Sequence, residues 1–186
     1  MAYGVSSKEV ARSTADAPNV RQSKGVFVSV LVPMSADAYV DYLTAATRAY
    51  ADDNVAAGRW PAEGALARSE SDFAELLPEG LATADNYLFE ITAPATGETV
   101  GYLWFAAQEK HGLPVAFVYD VEVKQEYRRC GHATAAFREL EVIVRERGLG
   151  RIGLHVFGHN DAAQALYRKL GYDVTGVNML KELAKG

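Results

Sequence analysis

The sequence predicts a single α/β domain with a mixed sheet: six to seven strands at the centre and about four helices on the two faces. Three observations predict it. Apolar, β-branched runs recur between Pro and Gly breakers. Stretches with apolar residues every three to four positions lie between them. The strands come first as a meander and later alternate with helices, an order that calls for both antiparallel and parallel pairing. A length of 186 residues is enough to bury one core without covalent staples.

Residues 26–32 (VFVSVLV) read as a strand ended by Pro33. Ser35 can cap a helix of about four turns in which Tyr39, Leu43, Ala46 and Tyr50 recur, broken by Gly58. Pro61 can open a second helix carrying Leu66, Phe73, Leu76 and Leu77, with Pro78 as its stop. Residues 87–92 (YLFEIT) and 100–107 (VGYLWFAA) read as hairpin partners around a turn at 94–97. Leu113 and Pro114 are expected to interrupt before a further strand at 115–123 (VAFVYDVEV). A helix should run from Gly131 to Gly148 with Ala136, Leu140 and Ile143 on its inner face. Residues 151–157 read as a strand, 162–170 as a short helix stopped by Gly171, and 172–183 as a last strand or strand pair. Residues 1–25, rich in Ser, Ala, Asn and charge, read as a mobile extension of a domain spanning 26–183.

No apolar run approaches the roughly 20 residues of a bilayer span, so no membrane partner is expected. The N-terminus lacks the apolar core of a signal peptide. The single cysteine, Cys130, rules out an intrachain disulfide and a multi-thiolate metal site, which together with the missing leader suits the cytoplasm. A net charge of −5 argues against a general nucleic-acid binder. The charge is uneven, however. Residues 35–90 carry eleven acids against Arg48, Arg59 and Arg68, whereas 121–186 carry eleven Lys and Arg against eight acids. That split is compatible with a cationic substrate meeting the front half and an anionic cofactor the back; a solvated surface gives the same pattern.

Residues 121–133 (VEVKQEYRRCGHA) carry the chemistry: a strand runs into a loop with Arg128 and Arg129, then Gly131, and a helix begins. A helix N-terminus offers unpaired N–H groups and partial positive charge, which can hold phosphate oxygens where the backbone approaches closely. Gly131 permits that approach, and the small Ala133 and Thr134 keep the first turn open. Neither GxGxxG nor GxxxxGK[ST] is present.

Arg128-x-x-Gly131-x-Ala133 after a strand ending in Val121-Glu122-Val123 resembles the R/Q-x-x-G-x-G/A signature of the GNAT superfamily of N-acetyltransferases. Asn160-Asp161-Ala162-Ala163-Gln164-Ala165-Leu166-Tyr167, followed by Leu170-Gly171-Tyr172, resembles the family's second segment, N-x-x-A-x-x-x-Y-x-x-x-G-F/Y. The resemblance covers about residues 100–183 by motif and reaches back to Val26 by element order. It implies a GNAT-like fold and acetyl-CoA as cosubstrate, with the amides from Arg128 through Arg129, Cys130, Gly131 and His132 to Ala133, and Thr134 behind them, around the pyrophosphate. It implies that Val121 and Val123 run beside the pantetheine and that an N–H there meets the thioester carbonyl, where it would stabilise a developing oxyanion. It adds Asn160 and Ala163 to the cofactor contacts and makes Tyr167 the acid that protonates the leaving thiolate.

An amine acceptor must also lose a proton. Asp120, Glu122 and His155 are the strand-borne candidates; Asp120 and Glu122 should share a face unless a bulge intervenes. His155 stands where ribosomal-protein acetylases of the family carry glutamate, and a histidine titrates near neutrality. Tyr39, Tyr42, Tyr50 and Trp60 can line an acceptor pocket or simply pack. His111, His132 and His159 fit no zinc spacing, so no metal is expected. The acceptor is thus expected to be a primary amine of a small molecule or protein, cationic if the acidic half meets it. A non-catalytic acyl-CoA sensor on the same fold is the alternative, and exposed strand edges are compatible with a homodimer.

Overall fold

A computed structural model describes residues 29–181 and 183. The expected extension at 1–25 and the start of the first predicted strand, residues 26–28, lie outside the described residues.

Among the described residues five strands form one sheet in sequence order: β1 (Val30–Pro33), β2 (Asn86–Thr92), β3 (Thr99–Lys110), β4 (Leu113–Val123) and β5 (Ile152–Leu154). The first four pair antiparallel and β4 pairs parallel with β5. Helices α1 (Ala36–Ala56) and α2 (Ala65–Leu76) cover one face, α3 (His132–Glu146) and α4 (Asp161–Lys169) the other. Strand alternation supplies both cores. Ile91, Leu103, Phe105 and Val118 pack with Phe137 and Leu140 of α3 and Tyr167 of α4. Leu88 and Trp104 pack with Tyr42 and Ala46 of α1 and Phe73 of α2. Among the described residues no helix is long and apolar enough to cross a membrane.

Local chemistry explains most boundaries. The Ser35 hydroxyl accepts from the Ala38 N–H (3.3 Å) and caps α1, which at 21 residues is longer than predicted. Helix α2 starts at Ala65 after a left-handed Gly64 (φ +73°), not at Pro61. Leu113 and Pro114 do not interrupt anything. His111 and Gly112 both take positive φ (54° and 74°) and close a tight hairpin in which Lys110 faces Leu113, so both residues belong to β4.

Among the described residues the strand count is five, not the expected six or seven. Strand β5 spans three residues rather than seven, and residues 172–181 and 183 contain no strand. Val174, Val177, Met179, Leu180 and Leu183 stand 66–93% exposed. Their β-branched and apolar character signals strand propensity, but propensity makes a strand only where a neighbour supplies the ladder, and no described strand pairs with the outer edge of β5.

Candidate active site

The site is built by a single extra residue in β4. Phe105 pairs with Val118 but Trp104 pairs with Asp120, which leaves Tyr119 as a bulge. A bulge resets the alternation. Upstream, Ala116 and Val118 face α3; downstream, Val121 and Val123 do so, while Asp120 and Glu122 stand opposite Trp104 and Tyr102 on the α1 side. The expectation that Asp120 and Glu122 share a face is met, because the bulge lies just before them. Strand β5 leaves β4 at the same place: its pairing ends at Leu154 beside Val118. From Tyr119 to Val123 no described strand pairs with the edge of β4 that faced β5, and the two strands fork. Gly101 sets the other edge. A Cβ there would strike the Glu122 carbonyl, so only glycine lets β3 press against β4 at this point.

On the α3 side of the fork lies the anion cradle. Gly131 (φ +88°) is the N-cap of α3, and Arg129 before it is also left-handed (φ 65°). The first helical bond runs from the Ala135 N–H to the Gly131 carbonyl (3.0 Å), so the amides of His132, Ala133 and Thr134 precede it. Open space surrounds the position a Gly131 Cβ would take. These features fit a pyrophosphate. Arg128, though exposed, is committed to the backbone: its Nε donates to the Val123 carbonyl (2.8 Å) and its amide to the Gln125 carbonyl (3.3 Å). It ties the cradle to the end of β4. Arg129 and Cys130 are exposed. The His132 side chain is buried and bonds Ser29 Oγ through Nδ1 (2.7 Å), which anchors the start of α3.

Across the fork, Asn160 caps α4 by accepting from the Ala163 N–H (3.1 Å). Tyr167 is 8% exposed and packs edge-on against Phe137 at 5.4 Å. Burial, with Asp120 adding, pushes its hydroxyl up to about 12. The proton therefore stays on through the neutral range.

Asp120 sits on the α1 side. Close neighbours hem it in, yet it keeps a solvent-accessible face. Burial pushes its carboxyl up to about 6; the facing Tyr42 hydroxyl opposes the rise, and Glu122 and Asp53 add to it. The Tyr42 hydroxyl is fully buried and closes no hydrogen bond of standard geometry, with Asp120 or any other described group. His155 lies further out, at 3.4 Å from Arg59 Nη1, and burial and then Arg59 hold its pKa below the usual imidazole range. Arg59 also lies 5.6 Å over the Phe157 ring, and His159 Nε2 meets Asp53 Oδ1 at 3.3 Å. The end of α1 is thus laced to the β5–α4 loop.

The structure brings Asp120, Glu122 and Tyr167 to one fork and puts His155 on its rim. The tyrosine that matters most for Asp120 is Tyr42, which helical spacing alone marked only as a core or rim aromatic. His111, His132 and His159 occupy three separate places: a hairpin turn, the start of α3 and the β5–α4 loop.

The sequence profile of the Acetyltransferase (GNAT) family matches residues 47–172. The chain is 37% identical over 154 residues to a Bacillus subtilis protein described as uncharacterized N-acetyltransferase YycN, covering 83% of this chain and 98% of that one. A second Bacillus subtilis protein, uncharacterized N-acetyltransferase YdgE, is 35% identical over 134 residues, or 72% of this chain and 85% of its own. The crystal structure of YycN superposes with a TM-score of 0.80 at 36% identity, covering 84% of this chain and 99% of the other.

Proposed function

The chain belongs to the acetyltransferase (GNAT) family, and from that premise we propose that it transfers an acetyl group from acetyl-CoA to a primary amine, both bound at once. The observation that carries this reading is the fork itself: a helix N-terminus with free amides on one side of the sheet, and a carboxylate held near neutrality on the other.

The donor supplies an activated acetyl thioester. The amides of Arg129 to Thr134 would hold its pyrophosphate, with Arg128 bracing the loop from behind. The edge of β4 at Val121 and Val123 would align the pantetheine, together with Asn160 and Ala163 across the fork. Asp120 takes a proton from the acceptor ammonium, so that the nitrogen lone pair is free as the N–C bond forms. Tyr167 donates its hydroxyl proton to the sulfur as the C–S bond breaks. Of the three base candidates Asp120 is favoured over Glu122 and His155, because it alone combines burial, a raised pKa and proximity to Tyr167.

The test is thiol release from acetyl-CoA with a panel of primary amines and the full-length protein. Turnover that needs both donor and amine supports the reading. Tight CoA binding with no turnover on any amine would replace it with a non-catalytic acyl-CoA sensor.

A further inference from the structure

The turn between β5 and α4 is tied down from two directions. On its own side, the Asn160 N–H donates to the Phe157 carbonyl (3.0 Å). The Gln164 side-chain amide donates to the Phe157 and Gly158 carbonyls (3.3 and 3.0 Å). Those bonds shape the turn and join it to α4, but they do not reach the other side of the fork. Contacts from the end of α1 do.

The end of α1 is built to present one arginine. Gly58 takes a left-handed φ of +67° and the chain leaves the helix there. The Asn54 carbonyl then accepts from the N–H groups of both Arg59 (2.9 Å) and Trp60 (3.3 Å). Asn54 is itself buried, with its side-chain amide on the Tyr50 carbonyl (2.8 Å). The Arg59 backbone is thus fixed, although its side chain is exposed. The guanidinium makes two contacts, both just past β5: Nη1 lies 3.4 Å from His155 Nε2, and Cζ lies 5.6 Å over the Phe157 ring. A guanidinium has no acceptor, so His155 accepts through Nε2 and carries its ring proton on Nδ1. The Phe157 ring spreads the contact. It meets His155 edge-on at 5.3 Å, stacks on His159 at 5.5 Å and lies 6.5 Å from Tyr50 of α1. His159 in turn reaches back to Asp53 of α1 (3.3 Å).

Two charged side chains at the end of α1 therefore grip residues 155–159, directly ahead of Asn160. Arg59, His155 and His159 are all exposed, and contacts between exposed charges stabilise a fold little. Their effect is to hold one turn in one place. We propose that Arg59 is a positioning residue for the donor: by clasping His155 and Phe157 it holds the β5–α4 turn where Asn160 meets the pantetheine arm. The proposal rests on the reading of the fork as a coenzyme A site. Asp53 with His159 is the second strap of the same clasp. None of these contacts reaches the amides at the start of α3, so loosening the clasp should cost the pantetheine its contact and leave the phosphates theirs.

The experiment titrates the full-length protein calorimetrically with two ligands: CoA, and adenosine 3′,5′-bisphosphate, which keeps the phosphorylated nucleotide and lacks the pantetheine. Arg59→Gln should weaken CoA by about three- to tenfold and leave the bisphosphate within about twofold, because a turn no longer held in its bound position must be ordered on binding. Arg59→Lys, which keeps a cation and a donor, should recover part of the loss. Asp53→Asn should show the same selective pattern with a smaller loss. In Arg59→Gln without ligand, hydrogen exchange of amides 156–160 should quicken by about tenfold. Equal weakening of both ligands, no weakening of either, or unchanged exchange overturns the clasp and leaves the coenzyme A site standing. CoA held no more tightly than the bisphosphate by the unsubstituted protein also overturns the clasp. An unsubstituted protein that binds neither ligand overturns the coenzyme A reading and the clasp with it. Selective weakening of CoA, without turnover of any amine, upholds the clasp and removes the reaction.

Discussion

At Asp120 the chain keeps a carboxylate where burial and two neighbouring acids oppose its ionisation. The sign of the consequence follows from the direction of the shift. A carboxyl raised from 3.8 to about 6 in the folded state favours folding when protonated, so the stability it lends below pH 3.8 is lost as pH rises through about 6. Replacing it with the isosteric Asn should therefore stabilise the fold by on the order of 1 kcal/mol at pH 8 and leave it unchanged near pH 3. The same change removes the proposed base and should lower kcat/KM by about 10²- to 10⁴-fold. Thermal unfolding across pH, beside turnover of the same samples, checks both. In the unsubstituted protein kcat/KM should rise with pH through an apparent pKa near 6. The sequence put His155 and Glu122 ahead of Asp120 as the base. What separates Asp120 is its burial just past the bulge at Tyr119, and no Gly or Pro marks that bulge, so strand periodicity alone could not reveal it.

Among the elements, the start of α3 was the most legible. Its chemistry is local: a glycine at a left-handed N-cap, small residues behind it and amides that precede the first helical bond. Gly131→Ala tests the element as a whole. A methyl there costs about 1 kcal/mol at φ +88° and projects into the open space of the cradle. Affinity for CoA should fall by about tenfold or more, while the melting temperature drops by only a few degrees; calorimetric titration beside thermal unfolding separates the two effects. Unchanged CoA affinity would move the pyrophosphate elsewhere. The role of Arg128 was less legible. A sequence shows a cation beside a phosphate site, but it does not show that the Val123 carbonyl lies within its reach.

For the whole molecule, the order of helices and strands was readable because hydrophobic period and breakers agree along most of the chain. Two of the errors have a common cause. Leu113-Pro114 and residues 172–183 were judged by composition, whereas a hairpin needs a partner strand in register and a terminal strand needs an edge to join. The described C-terminal residues instead hold large apolar side chains in water beside a three-residue edge strand. Such an arrangement favours self-association. Val177→Glu with Met179→Glu is expected to shift sedimentation velocity toward the monomer while leaving thermal unfolding within a few degrees. Identical sedimentation of both proteins would exclude this segment as the cause.

The fork in the sheet has a consequence for how such a molecule can change. Its left-handed turn and free amides belong to the start of α3, its Asp120 and Glu122 to the opposite face of β4 beside α1, and the sheet stands between them. Substitutions along α1 before Tyr50 can accumulate without touching the groups proposed to hold the donor. On the proposed function, a lineage built on this plan can try new amines one helix at a time, while the half proposed to bind the donor stays fixed.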